Sequence, residues 1–107
     1  MRTVPLSQRP NQKIEFVVEG HEWSVRLQRF DGREYVDASV DGEEMMNGMP
    51  LTDGVWVIPY RHKVVVADCG NLRFNLKYGK EISDYTNFDE SIILNWYSTA
   101  EYLAEEG

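Results

Sequence analysis

The sequence predicts an all-β chain, a single small antiparallel sandwich or partly open barrel of about seven to eight short strands. Three observations carry this prediction. Apolar residues recur at every second position through most of the chain, which is the period of a half-buried strand. Gly-containing pairs such as Asp31-Gly32, Asp41-Gly42 and Asp53-Gly54 punctuate these runs at short intervals. Such pairs tolerate the positive φ that tight hairpin turns require. Only the C-terminal end carries a helix-start signal, so a short C-terminal helix is the one exception expected.

The first element is a stiff polar hook, TVPLSQRPNQKIEF, from Thr3 to Phe16. Proline cannot donate to a sheet ladder, so Pro5 and Pro10 argue against a central strand. Pro10-Asn11 suits the middle of a β-turn, with proline fixing φ and asparagine tolerating αL. Gln12 then brings two donors and an acceptor that need partners. Residues 1–12 are therefore expected to form an extended N-terminal arm. Two readings stay open: a turn leading into the first strand, or Val4-Pro5-Leu6 lying extended against a partner or the chain's own sheet. Deleting residues 1–12 is expected to leave a folded domain but to weaken assembly, and loss of the β-type circular dichroism would place the arm in the core.

Ile14, Phe16 and Val18 then alternate with polar residues, as do Trp23, Val25 and Leu27. Glu19-Gly20-His21-Glu22 between them reads as a hairpin turn, so the two runs should pair antiparallel with one buried face. Val36, Ala38 and Val40 share a face of the next strand, and a short extended piece reaches Met45. Asn47-Gly48 and Asp53-Gly54 flank Met49-Pro50-Leu51, which reads as an irregular corner. Val55–Ile58 is a short strand stopped by Pro59. Val64–Ala67 does not alternate and reads as a strand buried on both faces. Asp68-Cys69-Gly70-Asn71 is a turn, and Leu72, Phe74 and Leu76 alternate cleanly. Lys80–Glu90 is polar and reads as a long loop. Ile92, Leu94 and Trp96 form the last strand. Ser98 and Glu101 stand in capping-box spacing, so residues 98–107 form an acidic tail or a short helix that is ordered only by packing.

At 107 residues the chain fits one domain, residues 1–107, that can bury a modest core. Hydrophobic residues make up 42% of it, with three Trp, six Tyr and four Phe to nucleate that core. No apolar run approaches the roughly 20 residues of a membrane helix. The N-terminus lacks the apolar core of a signal peptide, so synthesis in a cytosol-like compartment and no membrane partner are expected. The net charge is −7. Nucleic-acid binding needs a basic patch to displace counterions, and Arg61-His62-Lys63 is too short a run to supply one. A single cysteine, Cys69, rules out an internal disulfide.

Nothing in the spacing assembles an enzyme. His21 and His62 sit in predicted turns, and neither is tied to Cys69. Adjacent Glu43 and Glu44 point to opposite faces of a strand. Asp84, Asp89 and Glu90 lack calcium-loop spacing. No catalytic residue, metal or cofactor is expected. The aromatic residues say more. Trp23 fits a core face. Trp56 lies among Val55, Val57 and Ile58, where both faces are apolar, so one face could meet another chain. Trp96-Tyr97 puts large rings on opposite faces of the last strand, so one must leave the core or cover an edge. Exposed rings of this kind anchor protein interfaces.

Val4-Pro5-Leu6, three intervening residues, then Pro10-Asn11-Gln12 and an alternating strand together resemble the baseplate plug family of contractile-tailed phages. The hairpin at Gly20, the Tyr35-centred strand with Asp41-Gly42, the Asn47-Gly48-Met49-Pro50-Leu51 corner and the terminal Leu94-Asn95-Trp96-Tyr97 extend the resemblance over most of the chain, in the same order. Leu72–Glu90 resembles the family least. The resemblance implies a non-enzymatic structural part of a virion, made in the bacterial host cytoplasm and placed in the tail baseplate. It implies a position at the central axis where tube meets hub and spike, binding to those proteins, and several copies under three- or six-fold symmetry. The candidate assembly contacts are Val4, Pro5, Leu6, Pro10, Asn11, Gln12, Trp56, Trp96 and Tyr97. Two other functions fit the residues alone. A carbohydrate- or receptor-binding β module would gather the aromatics on one exposed face. An acidic DNA mimic would need carboxylates in rows, whereas here they are mixed with Arg26, Arg29, Arg33 and Lys63.

Overall fold

The computed structural model describes residues 1–9, 11–76 and 92–106. The expected Lys80–Glu90 loop, with Asp84, Asp89 and Glu90, lies outside the described residues, as does Pro10. Among the described residues seven strands form two antiparallel sheets that enclose one core and do not close into a barrel. One sheet has the order β1-β7-β6, from β1 (Arg2–Val4), β7 (Ile92–Tyr97) and β6 (Asn71–Leu76). The other is a four-stranded meander of β2 (Gln12–Val18), β3 (His21–Phe30), β4 (Arg33–Val40) and β5 (Glu43–Pro50).

The meander follows directly from its turns. Glu19-Gly20, Asp31-Gly32 and Asp41-Gly42 all have positive φ at both residues. That geometry matches the right-handed twist of paired strands and sets the register. Phe16 lies opposite Trp23, with rings stacked at 6.0 Å, and Trp23 lies opposite Val40. Trp23, Val25, Leu27, Val36, Ala38 and Val40 thus line the inner face and are buried. At one end of the sheet the Asp41 carboxylate accepts the Glu22 N–H at 2.9 Å and meets His21 Nδ1 at 2.7 Å. Those two contacts, the first above all, hold its pKa below the usual range. At the other end Glu34 sits on the inner face, its side chain fully buried. Arg29 Nη1 approaches to 3.6 Å, an ion pair but too long for a hydrogen bond. Burial pushes the Glu34 pKa up, against the pull of Arg29.

Three predicted elements come out differently. The extended piece ending at Met45 and the Met49-Pro50 part of the expected corner are one strand, β5, with Leu51 just beyond its end. It runs through Asn47-Gly48 because the register shifts between Val36, Ala38 and Ser39, a bulge that absorbs the corner. Val55–Ile58 is not a regular strand. It touches β6 through one bridge, Trp56 to Arg73, and two backbone bonds, Gly54 N–H to Phe74 O at 2.9 Å and Val57 N–H to Leu72 O at 2.8 Å.

The largest correction is Val64–Ala67, which belongs to a helix, α1 (Arg61–Ala67), rather than a buried strand. Only Val64 of its residues is buried. The reason is tertiary. Ile58 is tied to the side chain of Asn71, so residues 59–70 must return on themselves. A helix rises only about 1.5 Å per residue, against about 3.3 Å for a strand, and so keeps the two ends close. Asp68 ends α1 in the left-handed region (φ 50°), its N–H bonded to Val64 O at 2.9 Å.

The second helix, α2 (Thr99–Glu106), starts as the capping box predicts. The Ser98 N–H donates to Glu101 Oε1 at 3.0 Å, and the Glu101 N–H donates to Ser98 Oγ at 3.2 Å. The Met1 ammonium and then the Ser98 N–H hold the Glu101 carboxyl below its usual pKa. Buried Tyr102 docks the helix.

Candidate assembly surface

The N-terminal arm closes on its own sheet. Arg2, Thr3 and Val4 of β1 pair with Trp96, Asn95 and Leu94 of β7. The side chains of Val4 and Leu6 are buried in the core, while Pro5 stays exposed between them. Gln12 finds the partners its amide needs within the hook. Its Oε1 accepts the Ser7 N–H at 2.9 Å, and its Nε2 donates to Ser7 O at 2.6 Å and Arg9 O at 3.1 Å. Asn11 Oδ1 accepts the Arg29 N–H at 2.9 Å and pins the hook to β3. With Val4 and Leu6 in the core, removing residues 1–12 strips a strand from the sheet, so a fully stable truncated domain is no longer expected.

The last strand places Trp96 inward and Tyr97 outward. Trp96 Nε1 donates to Cys69 O at 3.0 Å, and the ring lies against Gly70. Gly70 has φ +77°, and a Cβ there would collide with the Tyr97 carbonyl oxygen and lie 2.8 Å from Trp96 Nε1. Only glycine fits this crossing. Tyr97 is covered on the outer face by a second, smaller cluster. Trp56 stands edge-on to Tyr97 (5.1 Å) and to Tyr102 (4.9 Å). The Arg73 guanidinium lies 4.6 Å from the Trp56 ring and 4.8 Å from the Tyr97 ring. Its Nη2 donates to Tyr97 Oη at 3.0 Å, and its Nη1 reaches Glu105 at 3.4 Å. A cation between two aromatic faces is attracted to both. Trp56 and Tyr97 therefore join the 54–58 segment and α2 to the sheet, Trp96 holds Cys69-Gly70 against it, and all three rings make contacts within the chain.

Val4, Pro5 and Trp96 do converge. With Phe16, Val17 and Val18 they line a cleft of about 130 Å³ where the edge strands β1 and β2 approach. Its rim carries Val17, which is 65% exposed. Two residues that hold the surface in place were not among the sequence candidates. Arg73 was hidden in an ordinary alternating strand. Asn71, fully buried, falls in the turn that the sequence predicts over residues 68–71. Its Oδ1 accepts from Ile58 N–H (3.0 Å) and Leu72 N–H (2.8 Å), and its Nδ2 donates to Ile58 O (2.9 Å). No spacing in the sequence links Asn71 to Ile58. Cys69 is buried, and burial pushes its thiol up to about 11. A thiol so raised is a poor nucleophile at neutral pH. Among the described residues no group of His, Cys, Asp and Glu could hold a metal ion.

A family model described as cyanophage baseplate Pam3 plug gp18 matches residues 1–99. The chain belongs to this baseplate plug family. No curated protein matches it. Membership makes the chain a structural protein of a phage baseplate, located in the virion tail and associated with other baseplate proteins. The match spans the arm, both sheets and both ends of the cleft. The plug's described surface is thus a small sandwich whose arm, aromatic cluster and hook are all fastened internally.

Proposed function

We propose that this baseplate plug acts without catalysis, as a rigid wedge at the tail axis where tube, hub and spike meet. The observation that carries the reading is the family match over residues 1–99. The internal fastening supports it. A part that must hold neighbours until contraction needs a shape that does not yield, and Asn71, Gly70 and the Arg73 cluster each fix one element against another. Several copies arranged about the axis, by three- or six-fold symmetry, fit a part placed there.

The contact proposed from the candidate residues is the cleft between β1 and β2. Pro5 and Val17 form its exposed apolar rim, and Val4, Phe16 and Trp96 form its floor. An exposed strand edge beside an apolar cleft suits an extended segment of a neighbour, which can add main-chain hydrogen bonds and fill the cleft with a side chain. Of the other described candidates, Leu6 is buried in the core, Asn11 and Gln12 fasten the hook, and Trp56 and Tyr97 pack with Arg73. The test is co-expression with the tube, hub and spike proteins of the same phage. A stable complex with the hub, weakened by Val17→Asp in a folded protein, is the expected result. A chain that binds none of the three would overturn the proposal.

A further inference from the structure

Helix α1 is built from residues that locally oppose a helix. Arg61, His62 and Lys63 fill its first turn, at the end of the dipole that disfavours cations. Three β-branched valines follow, and no side chain caps the helix at Tyr60. The helix buries Val64, packs Ala67 partly against the core and leaves its other residues exposed. Val66 is 70% exposed and Val65 44%, with Tyr60 50% exposed at its start. Natural sequences break local rules chiefly where function demands it. Arg61-His62-Lys63 is also the longest cationic run in a chain of net charge −7. Among the described residues, neither Arg61 nor Lys63 forms an ion pair.

The opposite sign gathers at one end of the four-stranded sheet. In a meander, alternate turns share an end, so the β2–β3 and β4–β5 turns lie side by side, locked by Asp41 onto Glu22 and His21. That end carries Glu19, Glu22, Glu43 and Glu44, all exposed.

We infer that the α1 face of one copy docks on this acidic hairpin end of a second copy. The charges are complementary, and the second copy supplies both surfaces. A phosphate backbone would match the cations but leave Tyr60, Val65 and Val66 in water, so protein is the better occupant. A contact between two different patches is head-to-tail, and it closes into a ring when the rotation between copies permits. The contact rests on the assembly role proposed above and specifies its copy-to-copy surface.

The test is sedimentation equilibrium of the purified full chain at low and high salt. Reversible self-association that weakens with salt is expected. Arg61→Glu/Lys63→Glu should weaken it about tenfold or more. That variant should melt no lower than the parent, because acids suit a helix N-terminus. Loss of association therefore cannot be ascribed to loss of fold. Glu43→Lys/Glu44→Lys should weaken association equally, and an equimolar mixture of the two variants should restore it. Val66→Ser, a neutral change on the exposed face, should weaken it with the melt unchanged. A monomer under all conditions, reversals without effect, or a mixture that stays monomeric would overturn the inference. So would binding of duplex DNA that Arg61→Glu/Lys63→Glu abolishes. Incorporation of the same variants into baseplates reads the assembly role separately, so the two ideas can fail independently.

Discussion

Replacing Asn71 by leucine should be among the most damaging single changes in this protein. The Asn71 side chain acts as a short length of strand. It gives Ile58 both an acceptor for its N–H and a donor for its carbonyl, within a site shielded from water. Leucine fills the space and restores neither bond. A buried backbone group left without a partner costs about 1–3 kcal/mol, so the two Ile58 groups together cost about 2–6 kcal/mol. A domain of this size has roughly 5–15 kcal/mol in total. Urea unfolding followed by tryptophan emission would show the loss as a midpoint lowered by on the order of 1–3 M. Hydrogen exchange gives the local readout: the Ile58 amide should be protected in the parent and unprotected in the variant. Asn71→Asp should also be destabilising, because a carboxylate cannot donate to the Ile58 carbonyl. A loss below about 1 kcal/mol, with the Ile58 amide still protected, would show that Asn71 does not hold Ile58 in place.

Three further outcomes can be checked on the purified protein. Gly70→Ala forces a side chain into a positive-φ site, at about 1–2 kcal/mol, and also drives a Cβ into the Tyr97 carbonyl, so its thermal midpoint should fall further than strain alone predicts; an unchanged midpoint would contradict the crossing. Cys69, buried with its thiol pushed up to about 11, should resist an aromatic disulfide reagent until denaturant is added, and prompt labelling of the native protein would contradict its placement. The raised Glu34 pKa means the folded state binds the proton more tightly than the unfolded state. Its stabilising contribution is therefore full below the ordinary value of 4.5 and is lost as pH rises through the folded pKa. Glu34→Gln should flatten that decline in urea midpoints measured between about pH 4 and 8, and an unaltered slope would exclude Glu34 as its source.

The parts of the fold legible in the sequence were those set by local chemistry. The three hairpin turns are written in Glu19-Gly20, Asp31-Gly32 and Asp41-Gly42, and the inner faces of β3 and β4 in the alternation of Trp23 through Leu27 and Val36 through Val40. The α2 start is written in Ser98 and Glu101. What escaped was set by contacts distant in sequence. Val64-Val65-Val66 favours a strand, but it lies in a connection whose ends, Ile58 and Asn71, are bonded together thirteen residues apart, and there it forms a helix. Asn47-Gly48 signals a turn, and a bulge against β4 absorbs it. The hook illustrates both cases. The need of the Gln12 amide for partners was legible, but the destination of Val4 and Leu6 was not. Pairing with β7 joins residues ninety or more positions apart, and no local pattern encodes that. The candidate site shared this fate. Trp56 and Tyr97 were recognisable as rings needing cover, but their cover includes Arg73 and Tyr102, which nothing nearby announces.

The chain is a structural component of the tail baseplate. A cryo-EM map of intact virions of the phage that encodes it tests this most directly. Density for the two-sheet sandwich is expected at the tail axis, with a neighbour's segment seated along the β1–β2 cleft. A well-resolved baseplate with no place for this sandwich, in particles whose peptides do not include the chain, would contradict it.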